Sequence, residues 1–183
     1  MFDLLLTTTR VIYDLKSVKV AVLKDLGKFP VDGDVSAVSR GQEVELPRWL
    51  AKKLSELGVV EIRLRPTTPD EVGKYLISEK NVGKSSINKL RDDFYYEVRE
   101  LLSRVKSSSV DADSAIAAIR LESNLRDFIR LRMNKIINLT VLNTTRERIE
   151  GNLTIEELVL FKMLNDLLSS WLNQLAPKVL RSE

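Results

Sequence analysis

The stretch GQEVELPRWLAKKLSELGVVEI, residues 41–62, carries the signals for a strand, a helix and a second strand. Its first part alternates between charged and apolar side chains, as a half-buried strand does. Pro47 suits the first turn of a helix, and Gly58 suits the position just beyond a helix end. The β-branched residues that follow favour a closing strand. The stretch therefore predicts a compact βαβ-like unit, and none of its side chains forms a catalytic pattern.

This unit also provides the predicted core of an N-terminal domain. Leu50 and Leu54 recur at the spacing of one helical turn, with Trp49 beside them, so we expect these three residues in the core. Residues 1–66 are predicted to form a small β-rich domain with one helix. A further strand is predicted upstream from the alternation of three valines, Val18, Val20 and Val22.

From Thr68 onward the signals become helical. Thr68 with Glu71, and Thr154 with Glu157, match the capping-box pattern that opens helices. Apolar residues at helical spacing predict two further helices between these starts. Residues 67–183 are therefore predicted to form an α-helical bundle, which makes the chain α+β. The predicted helices cover approximately residues 68–80, 87–105, 111–144 and 154–176.

The last of these helices is apolar around most of its circumference, so it needs burial on several sides. One interpretation is a partner subunit that covers part of it, and the other is a central position in its own bundle. Under the first interpretation we expect aromatic and leucine residues of the helical domain to form a subunit interface. The expected interface residues are Tyr95, Tyr96, Phe128, Phe161, Leu168, Trp171 and Leu175.

The composition argues against catalysis. The chain has no cysteine and no histidine, which removes thiol nucleophiles, thiolate metal sites and the commonest metal ligand. We therefore expect no enzymatic activity, no cofactor and no bound metal. With 29 basic and 26 acidic residues the net charge is only +3, so we expect DNA contact to be weak or indirect. No apolar run is long enough to span a membrane, and no signal peptide is recognised, which favours a cytoplasmic location.

Two motifs suggest sites but have plainer explanations. Gly83, Lys84 and Ser85 resemble the end of a phosphate-binding loop, but the preceding strand that such a loop requires is not predicted, so a loop between helices is favoured. Two aspartate pairs could bind a metal ion. The first pair is better explained by a turn, and the second consists of neighbouring helix residues that do not face one another. These pairs are Asp32 with Asp34 and Asp92 with Asp93.

A basic face on the long helix leaves an alternative function open. Arg126, Arg130, Arg132 and Lys135 could contact phosphates, as a stand-alone nucleic-acid-binding protein would require. Acidic residues one turn away favour a solvated, ion-paired face instead.

Four blocks of sequence resemble the GINS family in the same order. Residues 27–29 (GKF) and 44–51 (VELPRWLA) resemble the small β domain of GINS subunits, and residues 94–102 (FYYEVRELL) resemble the segment that follows it. The long helix, with Arg126 and Lys135, and residues 152–157 (NLTIEE) resemble the remaining helical blocks. Residues 1–15 match no part of this pattern.

The resemblance implies a subunit of the GINS complex of chromosomal DNA replication. A β-rich B domain followed by a helical A domain resembles the archaeal type related to the second and third Psf subunits. Such complexes have four subunits, typically two copies each of two sister chains. They bridge the MCM helicase and a RecJ-like protein and act as scaffolds without catalysis.

Overall fold

The computed structural model describes residues 2–31, 34–64, 66–107, 111–142 and 149–175. The chain divides into two compact units, Met1–Pro66 and Thr67–Glu183. The elements of the first unit are α1 (Phe2–Leu15), β1 (Ser17–Val22), β2 (Gly27–Val31), β3 (Asp34–Val38), β4 (Glu43–Pro47), α2 (Arg48–Glu56) and β5 (Val60–Ile62). Those of the second are α3 (Pro69–Lys80), α4 (Phe94–Ser107), α5 (Ala112–Val141) and α6 (Ile155–Leu175). This arrangement confirms the α+β class.

The first unit is built on a three-stranded sheet with the order β4-β1-β5. Strand β1 is antiparallel to both neighbours, and Val20 pairs with Val44 on one side and with Ile62 on the other. Strands β4 and β5 therefore run in the same direction, connected by α2, which is the predicted βαβ-like unit. Gly58 adopts a positive φ of 66° just after α2, as expected of a glycine at a helix end.

The prediction that Trp49 lies in the core is wrong, because half of its surface is exposed (50%). Helix α2 places the fully buried Ala51 against the sheet, with Leu50 and Leu54 packed against the same core. Trp49 precedes Ala51 by two positions, about 200° around the helix, and therefore lies on the outer side. The core positions predicted for Leu50 and Leu54 agree with this packing, although both are only partly buried.

Two helices, α1 and α2, are present among the described residues of the first unit, where one was predicted. Helix α1 was not predicted, because its apolar residues do not coincide with its buried side. Thr9 and Tyr13 are buried, whereas Leu4 and Val11 are exposed. The guanidinium carbon of Arg48, at the start of α2, lies 4.2 Å from the centre of the Tyr13 ring, so a cation–π contact joins the two helices.

A second sheet of the first unit consists of two strands that follow β1 in the chain. Strands β2 and β3 pair antiparallel, with Gly27 opposite Val38. Gly27 begins β2 with a positive φ of 65°, a conformation that glycine adopts without strain. Gly27 therefore begins this pair of strands without backbone strain.

Four helices, α3 to α6, are described in the second unit, and both predicted capping boxes are present. The Thr68 hydroxyl accepts from the Glu71 N–H at 3.3 Å, and the Glu71 carboxylate accepts from the Thr68 N–H at 3.1 Å. Thr154 and Glu157 repeat this arrangement at the start of α6. Each box satisfies backbone donors that a helix start would otherwise leave unpaired.

The helix predicted from residue 87 begins only at Phe94. Ile87 and Leu90 are buried, as their spacing suggested, but they lie in an irregular segment. Its backbone is paired outside any helix, because the Asn88 N–H donates to Glu79 and the Leu90 N–H donates to the Asn152 carbonyl. Tertiary contacts therefore satisfy groups that a helical turn would have paired.

Candidate subunit interface

The helices of the second unit meet around a buried arginine, Arg132 of α5. Its Nε and Nη2 atoms donate to the two carboxylate oxygens of Glu157, at 2.8 and 2.5 Å. Its Nη1 donates to Glu79 at 3.1 Å and to the Asn88 carbonyl at 2.5 Å, and Nη2 also donates to the Asn152 carbonyl at 3.3 Å. These contacts use all the N–H donors that a guanidinium has.

Lys135, three positions further along α5, is saturated in the same way. Its ammonium donates to the Glu79 carboxylate at 2.8 Å, to the Glu79 carbonyl at 2.7 Å and to the Val82 carbonyl at 3.0 Å. An ammonium has three donors, so none is left for a ligand. The two cations face two buried carboxylates, and the charges of this network (Arg132, Lys135, Glu79 and Glu157) therefore balance.

Tyr95 of α4 joins the network through its hydroxyl, which donates to the Glu157 carboxylate at 2.6 Å. Burial raises the pKa of this hydroxyl well above its ordinary range, and the neighbouring Glu157 charge raises it further. Burial by itself would lower the pKa of Arg132, but the hydrogen bond and charge of Glu157, with the charge of Glu79, outweigh it and raise this pKa. The tyrosine therefore stays neutral and the arginine stays charged.

The charged network lies between two apolar clusters. Along α5, Arg132 is four residues after Phe128, which belongs to a cluster with α3 and α4, and four residues before Ile136, which packs with α6. Through Glu79, Tyr95 and Glu157 the network connects α5 to all three other helices. Because a buried charge without its partner is strongly destabilising, the network favours one arrangement of the four helices.

This geometry also corrects the expectation for the basic face of α5. Arg132 and Lys135 were predicted to be solvated, or available to phosphates, but both are buried and fully paired. Only Arg126 and Arg130 of that set are exposed. The structure therefore contradicts a nucleic-acid site that uses Lys135.

The N-terminal half of α6 is packed into the bundle. Glu157 contacts Arg132, and one turn later Phe161 packs with Ile136 and Leu139. The buried side of α6 carries Glu157, Phe161 and Asn165, which follow one another at intervals of four.

The C-terminal half of α6 is largely uncovered. From residue 166 to residue 175, Leu168 is half-buried and every other residue is exposed. Leu167, Trp171 and Leu175 are 65%, 55% and 64% exposed, and their spacing of four places them on one ridge of the helix. Leu168 and Leu172 form the neighbouring ridge, whereas Asp166, Ser169, Ser170 and Asn173 occupy the other side. This half of α6 is an amphipathic helix whose apolar face has no cover within the described chain.

Comparison with known families identifies the helical unit. The family model described as the GINS complex protein helical bundle domain matches residues 64–176, which is more than half of the chain. The chain belongs to the GINS family. It is accordingly a GINS complex subunit of DNA replication, with hetero-oligomeric partners among GINS subunits. No curated protein matches the sequence significantly.

Two of the expected interface residues of this GINS subunit are internal. Phe128 and Phe161 are 0% and 1% exposed inside their own bundle, so the interface prediction is wrong for both. They lie on the inward faces of α5 and α6, where the apolar periodicity that suggested an interface instead forms the core of the chain. The hydroxyl of Tyr95 is likewise paired internally. Tyr96 and Leu168 are half-buried, while Trp171 and Leu175 are exposed.

The other motifs of this GINS subunit lie in surroundings that do not build a site. Gly83, Lys84 and Ser85 follow α3 in an exposed connection, and the strand that a phosphate-binding loop needs does not precede them. Asp32 lies outside the described residues, whereas Asp34 is part of β3. Among the described residues, no group of three acidic side chains could hold a metal ion. None of the described helices has the length and apolarity needed to cross a membrane.

The buried network was not predicted, although the sequence carries a signal for it. Arg132 is spaced four residues from both Phe128 and Ile136, so it occupies an inward position of α5. A charged residue at such a position requires a buried partner. Glu157 was recognised only as a helix cap, yet the same carboxylate also binds Arg132.

Proposed function

We propose that this chain is a scaffold subunit of a GINS complex and that the C-terminal half of α6 is where a sister GINS subunit binds. The observation that carries the proposal is the uncovered apolar face of Leu167, Trp171 and Leu175 in a chain of the GINS family. Covering a large apolar side chain contributes about 1.5–3 kcal/mol when burial is complete. Three such residues on one ridge therefore favour association strongly.

The scaffold is proposed to act by binding alone. The chain lacks histidine and cysteine, and the donors of its buried lysine and arginine are all used internally. This supports a role in which the helical unit joins subunits and catalysis belongs to other proteins.

The further partners are proposed from the family resemblance. The β-rich unit comes before the helical bundle, the order that resembles the archaeal type related to the second and third Psf subunits. We expect a tetramer with two copies of each of two sister chains, which bridges the MCM replicative helicase and a RecJ-like protein at chromosomal DNA in the cytoplasm. DNA contact by this chain should be indirect or weak, because Lys135 and Arg132 are unavailable to phosphates.

Assembly can be tested by light scattering of the chain mixed with a second GINS-family chain from the same cell. We expect a stable hetero-oligomer with the original sequence and its loss with Trp171→Asp. Ser170→Asp is the matched control, because it adds the same charge at an exposed neighbouring position on the polar side of α6. Assembly that withstands Trp171→Asp, or that fails equally with both variants, would refute the proposed use of this face.

The bridging role needs a separate experiment. The purified hetero-oligomer, immobilised on an affinity column, should retain both MCM helicase and a RecJ-like protein. In the absence of the hetero-oligomer, immobilised MCM helicase should not retain the RecJ-like protein. Retention of neither protein by an intact hetero-oligomer would leave the subunit association valid and overturn the bridging role.

A further inference from the structure

A second apolar ridge is exposed on α5. Ile129, Met133, Ile137 and Val141 follow one another at intervals of four, and each is between 41% and 66% exposed. Residues at this interval form a continuous ridge that can lie in the groove of another helix. Arg132, Ile136 and Thr140, each one position before a residue of the ridge, are buried. The ridge therefore lies next to the buried side of α5.

A basic ridge runs beside the apolar one. Arg126 and Arg130 are each three residues before a member of the apolar ridge, and Asn134 and Asn138 continue the same line. Arg130 forms no ion pair with any described residue, and Arg126 lies one turn from Glu122, which pairs with Lys106. Asp127 is exposed on the far side of the arginines from the apolar ridge. The apolar surface is thus bordered by positive charge with no acidic residue between the two.

We propose that this surface of α5 binds an amphipathic helix of another polypeptide, one whose apolar ridge is flanked by glutamate or aspartate. The apolar ridge would supply the contact area, and Arg126 and Arg130 would pair with the acidic flank and set the orientation of the bound helix. This surface is on α5, whereas the proposed sister contact is on α6. The two proposals can therefore fail independently.

The surroundings favour a protein helix over nucleic acid. Two exposed arginines with an apolar ridge offer few phosphate contacts, and the other basic residues of this stretch, Arg132 and Lys135, are buried in internal pairs. Exposed aromatic side chains, on which bases stack, are lacking along the described length of α5, whose single aromatic residue, Phe128, is buried.

The test uses two labelled helical peptides with the full chain and with its variants. Both peptides carry a leucine ridge at intervals of four, and the neighbouring ridge is glutamate in one and lysine in the other. Fluorescence anisotropy should show that the glutamate peptide binds roughly tenfold more tightly than the lysine peptide. The variant Arg126→Glu/Arg130→Glu tests the basic ridge, and it should prefer the lysine peptide. The variant Val141→Asp tests the apolar ridge, and it should bind both peptides more weakly.

Two controls make the result decisive. Arg120→Glu reverses one arginine charge at an exposed position of α5 outside the two ridges and should leave the preference unchanged. If circular dichroism shows that the double reversal does not fold, Arg126→Gln/Arg130→Gln should instead remove the preference. Equal binding of both peptides to the original chain, or no binding of either, would overturn the proposal. So would a single-stranded oligonucleotide that binds through the same two arginines and displaces the glutamate peptide.

Discussion

Arg132 binds both carboxylate oxygens of Glu157 side by side, although 25 positions separate the two residues in the sequence. Both side chains are almost completely buried. The same carboxylate closes the capping box of α6 and accepts the hydroxyl of Tyr95. One carboxylate therefore connects the start of α6 to both α4 and α5.

Replacing the arginine with an apolar residue should destabilise the helical unit severely. Arg132→Met leaves Glu157 buried without its cationic partner and leaves Glu79 paired with Lys135 alone, and such a loss typically costs about 3–5 kcal/mol. The free energy of unfolding can be measured by urea denaturation followed by far-ultraviolet circular dichroism, which reports mainly on the helices.

Arg130→Met is the matched control, because Arg130 lies on the same helix but is exposed. It should change the free energy of unfolding by no more than about 0.5 kcal/mol. Similar losses in the two variants would show that the buried pairing has no special importance for stability.

The raised pKa of Tyr95 should make the helical unit sensitive to alkali. In the unfolded chain a tyrosine ionises near pH 10, whereas the folded chain keeps the proton because burial and Glu157 oppose ionisation. The contribution of Tyr95 to the free energy of unfolding is therefore complete below about pH 10. As the pH rises further, the free energy of unfolding should fall by up to about 1.4 kcal/mol per pH unit. Urea denaturation at a series of pH values between about 8 and 11 measures this slope.

Tyr95→Phe removes the titrating hydroxyl, so its decline above about pH 10 should be shallower than that of the original chain. Tyr96→Phe changes the neighbouring residue and retains the pair between Tyr95 and Glu157. It should keep the original slope. Identical slopes in all three proteins would contradict a role for Tyr95 in the alkaline sensitivity.

Local signals in the sequence predicted local structure well. The capping boxes at Thr68 and Thr154, the βαβ-like unit and the start of α5 depend on residues within a few positions of one another, and each is present. The ion pairs of the buried network join residues that are 25 to 56 positions apart in the sequence. The charges of its members suggested a solvated surface because periodicity cannot show which distant carboxylate will reach an inward-facing arginine.

The surface of the chain was harder to predict for a related reason. Apolar residues at helical spacing were assigned partly to an interface, but the pattern for Phe128 and Phe161 is the same whether the covering atoms belong to this chain or another. Only the three-dimensional packing separates these buried residues from Trp171 and Leu175, which the described chain leaves exposed.

The first unit offers a contrast between an exposed large residue and a buried small one. Trp49→Ala should cost about 1 kcal/mol or less, because half of the indole is already in water. Ala51→Leu should cost about 1–3 kcal/mol, since Ala51 is fully buried against the sheet and the added atoms have no space. Urea denaturation of the two variants compares them directly, and a larger loss for Trp49→Ala would contradict the position of Trp49 on the outer side of α2.

The exposed end of α6 can be observed through its own fluorescence. The chain has two tryptophans, so Trp49→Phe leaves Trp171 as the sole indole emitter. In the isolated chain Trp171 should emit at the long wavelength of a solvated indole and be quenched readily by acrylamide, because 55% of its surface is exposed. Addition of a second GINS-family chain should shift this emission to shorter wavelength and reduce quenching as the apolar ridge is covered. Trp171→Phe, which leaves Trp49 as the emitter, is the control for changes elsewhere. A hetero-oligomer that forms without altering the emission of Trp171 would place the contact on another surface.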